Sequence, residues 1–114
     1  MYCLKNPKWV VEEMVAMADV YYRTKDSPSA DIMEELKRLS VKLNKRAIAL
    51  GMDAGPTFRN FNGMKLTYQC YRNVATNGKE GMTNTSRIMH EVNLLYNNNR
   101  AIFDRILKEF NEKY

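Results

Sequence analysis

Residues 57–74 read Thr57-Phe-Arg-Asn-Phe-Asn-Gly63 and then Met64-Lys-Leu-Thr-Tyr-Gln-Cys-Tyr-Arg-Asn-Val74. The first seven residues have the composition of a turn that starts a helix, and the rest has helical periodicity. Positions three and four apart share one face of an α-helix, so Lys65, Gln69 and Arg72 fall along one stripe while Met64, Tyr68, Tyr71 and Ala75 turn to the opposite side. One face can pack into a core and the other can meet a partner. Asparagine before glycine suits the entry, because asparagine caps helices and glycine tolerates angles that other residues avoid.

The same pattern continues outward in both directions. From Lys8 to about Arg23, apolar Val10, Met14, Met17, Ala18 and Tyr21 recur at helical spacing, with Trp9 in the first turn. Ser27-Pro28 reads as an N-cap and a first-turn proline. The helix they open carries Ile32, Leu36, Leu39, Leu43, Ala47 and Leu50 on one stripe. Its acids (Asp31, Glu34, Glu35) lie at the start and its bases (Lys42, Lys45, Arg46) near the end, as the macrodipole favours. Gly51 is placed to stop it, and Met52 to Phe61 read as a connection to a third helix beginning near Asn62 or Gly63.

Beyond the third helix, Thr76-Asn-Gly-Lys-Glu-Gly81 is a polar loop. Thr83 or Thr85 can cap a fourth helix with Ile88, Val92, Leu95 and Tyr96 aligned, and Asn97 to Asn99 interrupt it. A fifth helix carries Ile102, Phe103, Ile106, Leu107 and Phe110. The expectation is one all-α domain over residues 1–114, a compact bundle of about five helices. Its first three would form a helix-turn-helix-like core whose third helix enters the major groove.

Composition bounds the function. The chain has 114 residues, 45% hydrophobic and 27% charged, which suits a single globular domain. No stretch approaches the roughly 18 apolar residues of a membrane span, and charged residues interrupt any apolar segment at the start, so a cytoplasmic protein with no membrane partner is expected. Cys3 and Cys70 are expected to remain reduced. His90 is the sole histidine, and there is no Cys-x-x-Cys or His-x-x-x-His spacing, so no metal and no cofactor are expected. Gly78-Lys79 lacks the spacing of a phosphate-binding P-loop. Glu12-Glu13 and Glu34-Glu35 are splayed around their helices and read as solvated, and the chain is read as a binder rather than an enzyme.

Charge is uneven along the chain. Residues 55–100 hold Arg59, Lys65, Arg72, Lys79, Arg87 and Arg100 against Glu80 and Glu91, which is +4 of the whole chain's +5. That concentration suits a polyanion. The DNA-contacting set is therefore Arg59, Asn60, Asn62, Lys65, Gln69, Arg72, Lys79 and Arg87. The basic side chains would take phosphate or guanine, Gln69 adenine, and the asparagines would fix the turn on the backbone. The competing reading is a small protein-interaction module, an inhibitor or regulatory subunit of phage or mobile-element type, whose basic face meets an acidic protein. Eight methionines suit adaptable apolar surfaces. A homodimer is compatible with either reading.

Phe58-Arg-Asn-x-Asn-Gly63 before an apolar-patterned helix, with the Trp9 to Tyr22 helix ahead of it and Gly81-Met-Thr-Asn-Thr-Ser86 behind, resembles the amino-terminal specificity region of some bacterial HNH-type, modification-dependent restriction endonucleases. That motif commonly reads Phe/Tyr-Arg-Asn-Pro-Asn-Gly, and Phe61 stands here in place of the proline. The resemblance covers most of the chain. It implies that Arg59, Asn60, Asn62 and Gly63 form the family's hallmark turn and that the module binds DNA in restriction of, or defence against, foreign DNA. An HNH nuclease needs a histidine-rich metal site that His90 alone cannot supply, so the resemblance is to the binding region and not to the nuclease.

Overall fold

The computed structural model describes residues 7–52 and 55–114, and Cys3 lies outside them. The described chain is all-helical: α1 (Val11–Thr24), α2 (Ser29–Ala49), α3 (Phe61–Ala75), α4 (Arg87–Asn98) and α5 (Arg100–Lys113). These are the five expected helices, with boundaries moved by a few residues.

α1 is the hub and packs on each of the other four helices. The sequence stripe of Met14, Met17, Ala18 and Tyr21 is buried as expected, but so are Val15, Ala16 and Val20, while Val10 is 42% exposed. A helix packed on four neighbours buries most of its circumference, and α1 keeps only the strip of Glu12, Asp19 and the exposed Arg23 as a polar face. The remaining helices each contribute one face to the same core. α2 gives Leu36, Leu39, Leu43 and Ala47, α3 gives Met64, Tyr68, Tyr71 and Val74, α4 gives Met89 and Val92, and α5 gives Phe103 and Phe110. Leu50, placed on the α2 stripe by periodicity, lies past the helix end and is exposed.

Aromatic rings join α1, α3 and α4. Tyr22 stacks on Tyr96 with centroids 3.7 Å apart and meets Tyr71 edge-on. The Tyr22 hydroxyl donates to Asn93 Oδ1 at 2.9 Å, so the Tyr71 hydroxyl, 3.1 Å away, donates to Tyr22. Burial first, and this donated bond second, push the Tyr71 pKa far above its ordinary value. Burial likewise raises that of Cys70.

The connections depart from a helix-turn-helix. α1 and α2 are joined by the four residues 25–28, whereas α2 and α3 are separated by the eleven residues 50–60. A helix-turn-helix joins its second and third helices by a turn of about three or four residues. The three-helix packing is present with a long connection between α2 and α3, in which Phe58 and Arg59 are tied to α1 and α2 by hydrogen bonds.

Candidate nucleic-acid interface

The entry to α3 is built around Arg59. Its backbone is left-handed, at φ 47, a conformation that costs a non-glycine residue about 1–3 kcal/mol unless the surroundings enforce it. They do so from two helices. From α2, Ser40 Oγ donates to the Arg59 carbonyl at 2.6 Å and Asn44 Nδ2 to the Phe58 carbonyl at 3.2 Å. From α1, the Glu13 carboxylate accepts from Arg59 Nε at 3.2 Å and from Nη2 at 2.9 Å. The guanidinium also lies 4.5 Å from the Trp9 ring centroid and 4.4 Å from that of Phe58.

Glu13 is 1% exposed and its carboxylate is fully employed. Oε1 also accepts from the backbone N–H of Val10 at 3.1 Å, closing the first turn of α1. Arg46 of α2 lies 3.9 Å from Oε2 and forms a hydrogen-bonded ion pair with Glu12. No buried side-chain nitrogen or oxygen among the described residues lacks a partner. Two expectations are corrected here. Arg59, read as a DNA contact, is buried, because its charge is matched inside the protein. Glu13, read as solvated, anchors it. Arg46, one of the bases near the end of α2, is buried with them.

The left-handed turn at Arg59 makes Asn60 the N-cap of α3: its Oδ1 accepts from the Gly63 N–H at 2.8 Å. The capping role expected of Asn62 thus falls to Asn60, two residues earlier. Gly63 matters by proximity, since a Cβ at that position would lie 3.1 Å from the capping oxygen. Asn62 is left exposed in the first turn of α3.

Along α3 the expected stripe divides into two halves. Lys65 is exposed, with Nζ 4.9 Å from the Phe61 ring centroid, and Lys37 of α2 reaches the same ring at 5.3 Å. Neither lysine has a carboxylate within 4 Å among the described residues. By contrast, Arg23, Arg38, Arg46, Arg59, Arg72 and Arg87 all have one. Leu66, 48% exposed, lies beside Lys65.

The second half of the stripe is covered. Gln69 and Arg72 are partly buried; Arg72 Nη1 donates to Gln69 Oε1 at 3.2 Å and Nη2 lies 3.4 Å from the Glu80 carboxylate. Glu80 belongs to the 76–82 loop, which folds back on α3. Its Gly81 stands at φ +79, where an added Cβ would lie 2.2 Å from the Gln69 carbonyl oxygen. The next N–H, of Met82, donates to that same carbonyl at 3.0 Å. Asn73 Nδ2 donates to the Glu80 carbonyl at 3.1 Å, and Thr76 Oγ1 accepts from the Glu80 N–H at 3.0 Å. Lys79 is exposed on this loop.

Arg87 stands apart from that face. It opens α4, is 93% exposed on its side chain, pairs with Glu91 at 3.5 Å, and lines a cleft with Lys8 and Trp9. The α4 cap is Ser86, with no side-chain hydrogen bond, in place of the expected Thr83 or Thr85; Thr85 instead has its hydroxyl 3.1 Å from His90 Nε2. The eight residues read from sequence therefore separate into one buried brace (Arg59), one cap (Asn60), an open patch (Asn62, Lys65), a covered pair (Gln69, Arg72) and two outlying cations (Lys79, Arg87).

Lys37 and Phe61 were missed as members of the patch. Lys37 had no local signal, because its role arises from α2 packing beside α3. Among the described residues no group of three His, Cys, Asp or Glu side chains could hold a metal ion, and no helix is long and apolar enough to cross a membrane. No protein-family model, curated protein or solved structure matches the chain.

Proposed function

We propose that this chain is a non-catalytic helical module that binds duplex DNA through the first two turns of α3 and the adjoining turn of α2. The observation that carries this reading is the Lys37–Phe61–Lys65 cluster: two lysines from different helices over one aromatic ring, with no carboxylate among the described residues within 4 Å of either. Unneutralised lysines release counterions when they meet phosphate, and contact with a ring limits the freedom each must lose on binding. Asn62 is exposed in the first turn of α3, the part of a recognition helix that reaches base edges. Arg59 acts here by holding the turn, not by touching DNA. Restriction or defence is the setting that the resemblance of the Phe58–Gly63 motif implies.

Titration of a labelled duplex by fluorescence anisotropy at about 50 and about 200 mM salt tests this, because phosphate contacts weaken steeply over that range. Lys65→Ala and Lys37→Ala are each expected to weaken binding by roughly ten-fold and to lower the salt slope by about 1, with helicity unchanged. Absence of binding to duplex at the lower salt defeats the reading. A second reading, an acidic protein partner, draws on Met33 and Leu66, which expose apolar surface beside the lysines. Recovery of a single protein after nuclease treatment, with no duplex binding, would favour it.

A further inference from the structure

Where the residues ahead of α1 meet the start of α4, the fold leaves a cleft of about 520 Å³. Its walls are Trp9 and Ile88, both partly exposed, and its base is closed by the buried Met14 and Met89. The Arg59 guanidinium lies over the indole at 4.5 Å and holds that wall in place. Apolar surface continues past the rim. Val10, next to Trp9 in the chain, is 42% exposed, and Val11, three residues before Met14 and so on the same side of α1, is 40% exposed. The rim itself is cationic: Lys8 is exposed with no ion-pair partner among the described residues, and Arg87, its side chain 93% exposed, has Glu91 at 3.5 Å.

We propose that this cleft docks an acidic amphipathic segment of a partner protein, which seats a bulky apolar side chain between Trp9 and Ile88 and places carboxylates on Lys8 and Arg87. Tryptophan, methionine and arginine are the residue types enriched where proteins meet, and thioethers adapt to the shape that enters. The volume falls in the roughly 300–1,000 Å³ range of binding clefts, enough for a large side chain and the backbone beside it. Charge selects the partner: two cations at the rim of an apolar slot match glutamates or aspartates flanking an apolar residue. Duplex DNA is the poorer match, because nucleic-acid interfaces are more polar and much more positively charged, and one of these two cations already has an acid beside it. The cleft shares no residue with the Lys37–Phe61–Lys65 cluster and does not depend on the duplex reading.

Trp9 is the sole tryptophan, so its fluorescence reports on this cleft. The full chain is titrated with a short synthetic peptide of leucines three and four apart separated by glutamates. Its binding is expected to move the emission to shorter wavelength and to saturate below about 1 mM. The same peptide with lysine for glutamate, or with serine for leucine, should bind at least about ten-fold more weakly. Lys8→Gln should weaken binding of the glutamate peptide and Glu91→Gln should strengthen it, each by up to about five-fold, with helicity unchanged because both side chains are exposed. Equal affinity for the glutamate and lysine peptides, or an affinity that neither substitution moves, overturns the acidic partner. No emission change with any peptide overturns docking at the cleft. Displacement of the glutamate peptide by a paired duplex would assign the cleft to DNA instead, and a shift seen only after removal of residues 1–6 would make those residues its occupant.

Discussion

The two ends of the α3 entry handle positive charge in opposite ways. On the α1 side, Arg59 and Arg46 are buried and ion-paired with Glu13 and Glu12. On the α2 side, Lys37 and Lys65 lie over Phe61 with no acid within 4 Å among the described residues. The turn between these regions is short: Arg59 and Phe61 are separated only by the capping Asn60. Arginine suits the inner site because its planar fork meets a carboxylate in two bonds and stacks on rings, whereas lysine keeps a hydrated point charge available at a surface. Net charge along the sequence cannot distinguish the two, because it counts a satisfied arginine and an available lysine alike.

The largest expected effect comes from breaking the inner region. Arg59→Ala leaves Glu13 buried without its main partner, and removal of one member of a buried pair costs about 3–5 kcal/mol. In a small domain of about 5–15 kcal/mol total stability, urea denaturation should show a large drop in midpoint. Glu13→Gln should behave in the same direction. A stable Arg59→Ala protein with selectively weakened DNA binding would reverse the assignment and return Arg59 to the contact surface.

How far this contrast was legible in the sequence depends on the distance over which each feature is determined. The five helices, the α2 stripe and the inward set Met64, Tyr68 and Tyr71 follow from residues three and four apart, and all were readable. Lys65 was readable as exposed for the same reason. The Arg59–Glu13 pair spans 46 positions, so nothing near either residue announced it. Glu12 and Glu13 do diverge around α1 as adjacent residues must. What turned Glu13 inward is the presence of α2 and the 55–60 turn on that side. The misplaced cap has a local cause: the left-handed backbone at Arg59 ends the turn early and hands the cap to Asn60.

A smaller effect is expected at the loop that separates the open from the covered half of α3. Gly81→Ala places a Cβ where the Gln69 carbonyl already stands, and left-handed backbone alone costs a side-chain-bearing residue about 1–2 kcal/mol. The loop should therefore lift from α3 and protein stability should fall by about that amount. Hydrogen exchange at Met82, whose N–H donates to Gln69, should accelerate while the N–H groups of α1 stay protected. Unchanged exchange at Met82 would mean that the loop holds its place by other contacts and that the covered half of α3 is not set by Gly81.

The smallest effect sharpens the contrast most directly, because Arg72 sits between the two modes. It is half-exposed like a contact residue but carries an acid, Glu80, at 3.4 Å. A surface pair of this kind is worth about 0–1 kcal/mol, so Glu80→Gln should leave stability nearly unchanged. If Arg72 can reach phosphate, the same substitution frees its guanidinium, and duplex affinity should rise by up to about five-fold, the binding equivalent of that energy. The gain should be larger at low salt and should vanish in an Arg72→Ala background, since the carboxylate then has nothing local to mask. A gain that persists without Arg72 would trace to general repulsion between Glu80 and DNA. No gain in either background would place Arg72 with Arg59, among the cations already matched by the protein itself.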